Sequence, residues 1–384
     1  MKRASLLILA LGFFFFAQMA RADWTPAKRL TWTSGWSWRP AIAVDSGDHI
    51  HIVWSDDTSG NHEIFYRKST DGGTTWSAPK RLTTNWGTSE NPSIAVDSSD
   101  TIHVVWEDSS TGYEEIFYRQ TTDEGTTWSA AKRLTWTAGS SEVPDLAVDS
   151  SGAIHVAWQD DTPGNDEIFY KKSTDGGASW TSVKRLTWTS GASWRPDIAI
   201  GQGQAISAIW GDDTTAQYEY EIYYKRSTDG GASWDPVKRL TWTAGTSDGA
   251  DMAIDSSNGV HIVWRNYSQG QGNLYYKQST DGGTTWSSNK KLDWSGIPFA
   301  PALAIDSAKT IHLVWQDHKS GTYDLYYMKS TAGGTAWSTA QRLTWTAGDA
   351  YDARIAIDST NTIHGVWWDD TPGNPEIYYI KSSK

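Results

Sequence analysis

The sequence predicts an all-β fold, a seven-bladed β-propeller of four-stranded antiparallel blades closed by the mature N-terminal strand. The first observation is a repeat. Leucines in Lys-Arg-Leu-like segments fall at Leu30, Leu82, Leu134, Leu186, Leu240, Leu292 and Leu343, with spacings of 52, 52, 52, 54, 52 and 51. The second is an independent count of the same seven units by the tryptophan that closes the second apolar run: Trp54, Trp106, Trp158, Trp210, Trp264, Trp315 and Trp367. The third is that each unit reads as four short strands separated by Gly, Asp, Ser and Asn clusters, with no helical periodicity. Self-similarity at this period, in antiparallel units that cannot bury their faces alone, marks propeller blades rather than solenoid coils.

The elements follow in order. Residues 1–22 read as a secretory signal, with basic Lys2 and Arg3, an apolar run from Leu6 to Phe16, and a small-x-small site at Ala20-Arg21-Ala22. The apolar run is too short for a membrane span, and no later stretch approaches about 18 consecutive apolar residues. Residues 23–384 are expected to form one propeller domain, secreted to the periplasm or beyond. The first unit predicts strands at Ala41 to Val44, Ile50 to Trp54, Glu63 to Lys68 and Lys80 to Thr83. Its innermost strand is apolar on both faces, as a sheet sandwiched between neighbours requires. An alanine recurs inside that strand in all seven units (Ala43, Ala95, Ala147, Ala199, Ala253, Ala304 and Ala356), where sheets converge on an axis. The last unit stops after its third strand, and the mature N-terminus carries the missing fourth around Lys28-Arg29-Leu30.

Composition restricts function. With no cysteine there is no disulfide, thiolate metal site or cysteine nucleophile. The net charge of -12 includes Lys2, Arg3 and Arg21, so the mature chain carries about -15 (-12 minus 3), against a nucleic-acid or anionic-membrane partner. The 25 tryptophans fall into three registers per blade. A buried Trp removes roughly 150–250 Å² from water, a gross gain of roughly 4–6 kcal/mol, so the second-strand ring and the ring ending the third-to-fourth-strand turn read as core. The outermost ring (Trp32, Trp136, Trp188, Trp242, Trp294 and Trp345, with Trp86 displaced) reads either as blade-edge packing or as a ligand surface.

The third-to-fourth-strand turn reads Ser69-Thr70-Asp71-Gly72-Gly73-Thr74-Thr75-Trp76 and recurs at 121–128, 173–180, 227–234 and 279–286; a degenerate copy at 330–337 has Ala332 in place of Asp. The carboxylate accepts backbone amides of the turn, the glycines supply unusual φ, and the Trp pins the turn to the blade. This motif resembles the Asp-box, or bacterial neuraminidase repeat, of the sialidase-like superfamily. The resemblance covers nearly all of the mature chain. It implies a scaffold shared by sialidases, other glycoside hydrolases, sortilin-type receptors, a photosystem assembly factor and fucose-binding lectins, and so does not fix function.

Asp-boxes occupy one rim, so a site is expected on the other, where the crossovers differ between blades. Candidate ligand-binding residues there are Trp38, Arg39, Trp194, Arg195, Phe299 and Tyr351, since aromatic planes stack on sugars and charged groups bind hydroxyls, together with Asp56, Asp160 and Asp369 in the acidic hairpin loops. Those loops read as Asx-turns, with calcium the alternative; no cofactor is expected. The histidines His51, His103, His155, His261, His312 and His364 share one strand position on separate blades and read as structural. The resemblance to sialidases implies an arginine cluster and a Tyr nucleophile, for which Arg39, Arg195, Arg265, Arg354 and Tyr351 are the candidates. Sialidases, however, are six-bladed with long divergent loops, and this chain has seven blades and short uniform ones. The expectation is a monomeric, non-catalytic propeller binding an extracellular glycan or protein; the alternatives are a protein-interaction scaffold and an exo-sialidase-like hydrolase.

Overall fold

The computed structural model describes residues 23–215, 219–243, 245–268, 270–292 and 296–383. Residues 1–22, expected to be a secretory signal, and Trp294 lie outside them. The described residues form seven four-stranded antiparallel sheets. The first blade comprises Ser37–Val44, Ile50–Asp56, Glu63–Ser69 and Lys80–Arg81. The seventh comprises Ala350–Ile357, Ile363–Asp369 and Glu376–Lys381, with Lys28–Arg29 as its outer strand, paired Lys28 to Tyr379 and Arg29 to Tyr378. One short 3-10 turn, Gln202–Gln204, is the only helical element among the described residues.

Four boundaries differ from the sequence reading; the second and third strands run on to Asp56 and Ser69, where their ladder still pairs Asp56 with Glu63 and Ile50 with Ser69. The inner strand starts at Ser37 rather than Ala41, because Ser37 and Trp38 still pair with Asp56 and Ser55 across a bulge. The outer strand ends at Arg81 rather than Thr83. After Leu82 N–H donates to Ile64 C=O (2.7 Å), the Thr83 hydroxyl accepts the Ile64 amide at 2.8 Å, and a side chain ends the ladder.

There is no single core. Seven apolar clusters occupy the seven blade junctions. In the first, Val53, Ile64, Tyr66 and Leu82 pack against Ile94, Ile102, Val104 and Trp106 of the next blade, and Ala43 packs on the same cluster. The seventh joins Leu30, Val366, Ile377 and Tyr379 to Ile50, Ile52 and Trp54. All seven second-strand tryptophans are fully buried.

The Asp-box turns are built as their residues dictate. The Asp71 carboxylate accepts the Ser69 hydroxyl (2.9 Å), the Thr75 amide (2.7 Å) and the Thr75 hydroxyl (2.6 Å), and these bonds hold it down at a pKa of about 2. The last glycine of each box, such as Gly177 at φ +81°, lies over the tyrosine of the preceding blade, here Tyr118, where a Cβ would enter the ring. The recurring histidine bridges that tyrosine to the first turn: His155 Nδ1 lies 2.7 Å from the Tyr170 hydroxyl and Nε2 3.3 Å from Asp149. Six blades repeat the His–Tyr pair, and blade four replaces the histidine with Ser207, 3.0 Å from the Tyr224 hydroxyl.

Candidate functional site

Opposite the Asp-boxes, the seven inner strands begin with the same distortion. Arg39, Asn91, Val143, Arg195, Gly249, Ala300 and Asp352 all have left-handed φ, between +42° and +57°. At each the register slips against the second strand. Holding non-glycine residues there costs of order 1–3 kcal/mol each, most for β-branched Val143. Neighbouring blades hold them in place. The Val143 amide donates to Glu107 (2.7 Å), the Arg195 amide to Gln159 (3.0 Å) and the Asp352 amide to Gln316 (2.7 Å), each acceptor standing on the preceding blade. Such bulges at a rim re-aim side chains.

The bulges surround an axial cavity of about 710 Å³. Arg39, Arg195 and Arg354 reach it, and so do eight acids: Glu90, Glu107, Glu114, Glu142, Asp145, Asp197, Asp251 and Asp352. Most of the guanidinium charge is already answered. Arg39 pairs with Glu90 at 2.7 Å. Arg354 acts on Asp145, Asp197 and Asp251, opposing the upward pKa shift that burial imposes on all three. Each of these aspartates also accepts an amide of the next blade: Ile198 (2.8 Å), Met252 (2.7 Å) and Leu303 (2.6 Å). Arg195 is open to the cavity yet walled by protein, and that enclosure lowers its pKa, as do Arg354 and Arg39. On blades two and three, burial pushes up Glu107 and carries Glu142 to about 7, with the Glu107 and Glu114 charges adding to the latter.

A side pocket of about 150 Å³ opens from the cavity, walled by Trp194, Tyr220 and Phe299 with Arg195, Arg265 and Asp248. Arg195 lies 4.5 Å from the Trp194 ring centre and Arg265 4.0 Å from that of Phe299. Arg265 is held by Asp248 through two bonds, one of 2.7 Å to Oδ1 and the other to Oδ2.

Of the sequence candidates, Arg39, Arg195 and Arg354 line the cavity, and Trp194, Phe299 and Arg265 line the side pocket. Trp38 and Tyr351 line neither. Trp38 Nε1 donates to His62 Nδ1 (3.1 Å) and its ring meets Trp36 edge-on. Tyr351 stacks on Trp368 at 4.5 Å and donates its hydroxyl to Asp349 at 3.1 Å. Burial and the Asp349 charge raise its pKa, the opposite of what an activated phenolate nucleophile requires. Asp56, Asp160 and Asp369 are fully buried, which removes them from the ligand-facing set. Asp56 accepts the Ser37 hydroxyl (2.6 Å) and Thr58 amide (2.9 Å), Asp160 does the same with Ser141 and Thr162, and Asp369 accepts the Thr371 amide. They close hairpin turns. Among the described residues no group of three or more His, Cys, Asp or Glu is arranged to hold a metal ion.

Sequence reasoning missed Glu107, Glu142, Asp145, Asp197 and Asp251. The aspartates had a visible signal: they occupy the residue after the crossover Pro or Ala in an otherwise apolar strand, where other blades place Ala41, Ser93, Ala302 and Arg354.

Comparison with known proteins agrees with this architecture. No curated protein matches the sequence. Among solved structures, an ulvan lyase of polysaccharide lyase family PL25 superposes with a TM-score of 0.67 at 10% identity, covering 92% of this chain and 95% of that one. A protein of unknown function from Dyadobacter fermentans gives 0.58 at 11%, covering 93% and 99%. The NanB sialidase of Streptococcus pneumoniae gives 0.55 at 12%, covering 94% and 71%. At such identities the likeness is one of fold. The model of the BNR repeat-like domain matches residues 87–293, more than half of the sequence, and with seven four-stranded blades described, the chain belongs to the BNR repeat-like family.

Proposed function

We propose that the axial cavity and its aromatic side pocket bind a neutral saccharide, and that the protein acts outside the cytoplasm as a carbohydrate-binding propeller. One observation carries the reading: a cavity lined by eight carboxyl groups and three guanidiniums opens directly onto a pocket walled by Trp194, Tyr220 and Phe299. Carboxylates accept and guanidiniums donate hydrogen bonds to hydroxyls, and a flat aromatic wall takes the apolar face of a pyranose. The excess of acids over arginines repels a carboxylated sugar. With Arg39 paired to Glu90 and Arg265 to Asp248, the arginines do not form a free carboxylate clamp of the kind expected by resemblance to sialidases. The polysaccharide lyase and sialidase of like fold are consistent with a role toward glycans.

A glycan array on the mature protein tests this. Neutral glycans are expected to be retained above sialylated or uronate-containing ones, with Trp194→Ala and Phe299→Ala each weakening the best ligand about tenfold, or about 1.4 kcal/mol. Retention of acidic glycans alone, abolished by Arg195→Ala, would reverse the assignment.

A glycoside-cleaving reading has one observation in its favour. Glu142, with its pKa near 7, stands in the cavity as a carboxyl group able to give a proton at neutral pH. Turnover of aryl glycosides, lost in Glu142→Gln with binding retained, would establish it.

A further inference from the structure

Six described tryptophans of the outermost register stand open to solvent: Trp32, Trp86, Trp136, Trp188, Trp242 and Trp345, between 53% and 77% exposed. The second-strand ring of the same blades is buried to 1% exposure or less. Blade-edge packing therefore does not account for the outer ring. Leaving two-thirds of an indole in water forgoes roughly 2–4 kcal/mol of burial per residue, repeated around the molecule.

The rings are held rather than loose. Arg29, Arg133, Arg185, Arg239 and Arg342 lie 5.5–5.6 Å from the ring centres of Trp32, Trp136, Trp188, Trp242 and Trp345. Each of these arginines is itself fixed twice. Arg133 Nε donates to Thr135 C=O at 2.6 Å and its Nη2 to Glu115 at 2.6 Å, and the other four repeat the pattern. From the next blade, Lys171 also approaches Trp136 at 5.5 Å while donating to Leu134 C=O. Trp136 nonetheless stays two-thirds exposed, as open as Trp32.

We propose that these tryptophans are a circumferential set of subsites, on six of the seven blades, for the pyranose units of a neutral polysaccharide. Three features select this ligand. The described platforms are single rings, one on each of six blades, not the contiguous apolar patch that a protein interface core or a membrane-inserted belt needs. The flanking arginines are closed into ion pairs with Glu376, Glu115, Glu167, Glu221 and Asp324, the lysines beside Trp136, Trp188 and Trp242 donate to backbone carbonyls, and the mature chain at about -15 disfavours polyanions. A ligand with one flat C–H face and a hydroxylated edge per unit suits a bracketed indole beside threonine and glutamate. Because each Trp follows an outer strand, the set rings the same rim that bears the cavity. The observation is independent of the axial reading. A repetitive polymer engages several platforms at once, and effective concentration multiplies weak single contacts.

Affinity electrophoresis of the mature protein through gels containing galactomannan, xylan or mixed-linkage β-glucan tests the proposal. Retardation by at least one polymer is expected, with apparent affinity falling tenfold or more in Trp136→Ala/Trp188→Ala/Trp242→Ala and recovering in part in the triple Phe variant. Trp86→Ala, at the most exposed position and without a bracketing cation, gives a smaller loss and serves if the triple variant fails to fold. The proposal is overturned if no polymer retards the wild type, if the triple Ala variant is retarded as strongly, or if the same tryptophans instead mediate binding to phosphatidylcholine vesicles. Retardation that survives the triple variant but is lost in Trp194→Ala leaves the axial reading standing, so the two fail separately.

Discussion

At the scale of the residue, the protein divides its titratable groups between scaffold and cavity by how fully each is enclosed. Burial lowers the pKa of His155 and its five counterparts below the ordinary 6.5, while the partner Asp149 holds it up less effectively. A depressed folded pKa contributes stability that is present above about 6.5 and lost as pH falls, because the unfolded chain then binds the proton that the fold refuses. Blade four shows that serine fits this place, so His155→Ser should flatten the rise of stability with pH between 5 and 7, by up to about 1.4 kcal/mol per pH unit. Denaturant titrations at several pH values check this; an unchanged slope would mean the histidine is charged in the fold. Comparing variants cancels the cavity acids, whose raised values act in the opposite sense. In the cavity, Glu142 gains a proton as pH falls through about 7, removing one negative charge. Affinity for an acidic saccharide should therefore rise from pH 8 to pH 6, and Glu142→Gln should remove most of that dependence. The sequence displayed Arg39, Arg195 and Arg354 as candidates because arginine in a variable crossover stands out. It hid Glu107 and Glu142, whose distinction is a perturbed environment created only when blades two and three are packed together.

At the scale of the element, the four-strand blade was legible because its alternating apolar runs, turn residues and register tryptophans repeat seven times. The bulge at the start of each inner strand was not. Nothing in Trp-Arg-Pro, Glu-Val-Pro or Tyr-Asp-Ala marks a common left-handed residue, and the conformation is imposed by acceptors such as Glu107 and Gln159 on the blade before. The Asp-box was recognised by its aspartate, yet its packing depends more on glycine. The sixth box, with Ala332 in place of Asp, still donates the Gly334 amide to Ser330 (2.9 Å) and the Trp337 indole N–H to Gly334 C=O (3.1 Å). Gly177→Ala forces a left-handed alanine against the Tyr118 ring and should cost about 2–4 kcal/mol. Asp175→Ala should cost less. A larger loss for the aspartate variant in thermal melts would invert this ranking.

At the scale of the whole molecule, stability resides in seven junction cores arranged in a ring, so the seam between the last and first units matters more than any one blade. Residues 23–32 supply the outer strand of blade seven, the Arg29–Glu376 ion pair at 2.6 Å, and Leu30 within the core that also holds Trp54 and Val366. Their removal opens a junction and a blade together and should lower the melting temperature by on the order of 10 °C, since each kcal/mol is worth about 2–4 °C in a chain of this size. A melt unchanged by the deletion would show that the ring holds without this strand. A ring so closed leaves two different rims, one of Asp-box turns satisfied by their own hydrogen bonds and one where seven bulged strands turn unlike side chains toward the axis. The most direct measurement is a crystal structure of the protein with the best-bound neutral oligosaccharide from the array. The sugar is predicted at the axial cavity, with a ring against Trp194 or Phe299 and hydroxyls on Arg195 and the cavity carboxyls. A cavity left empty while the sugar occupies the Asp-box rim would contradict the account.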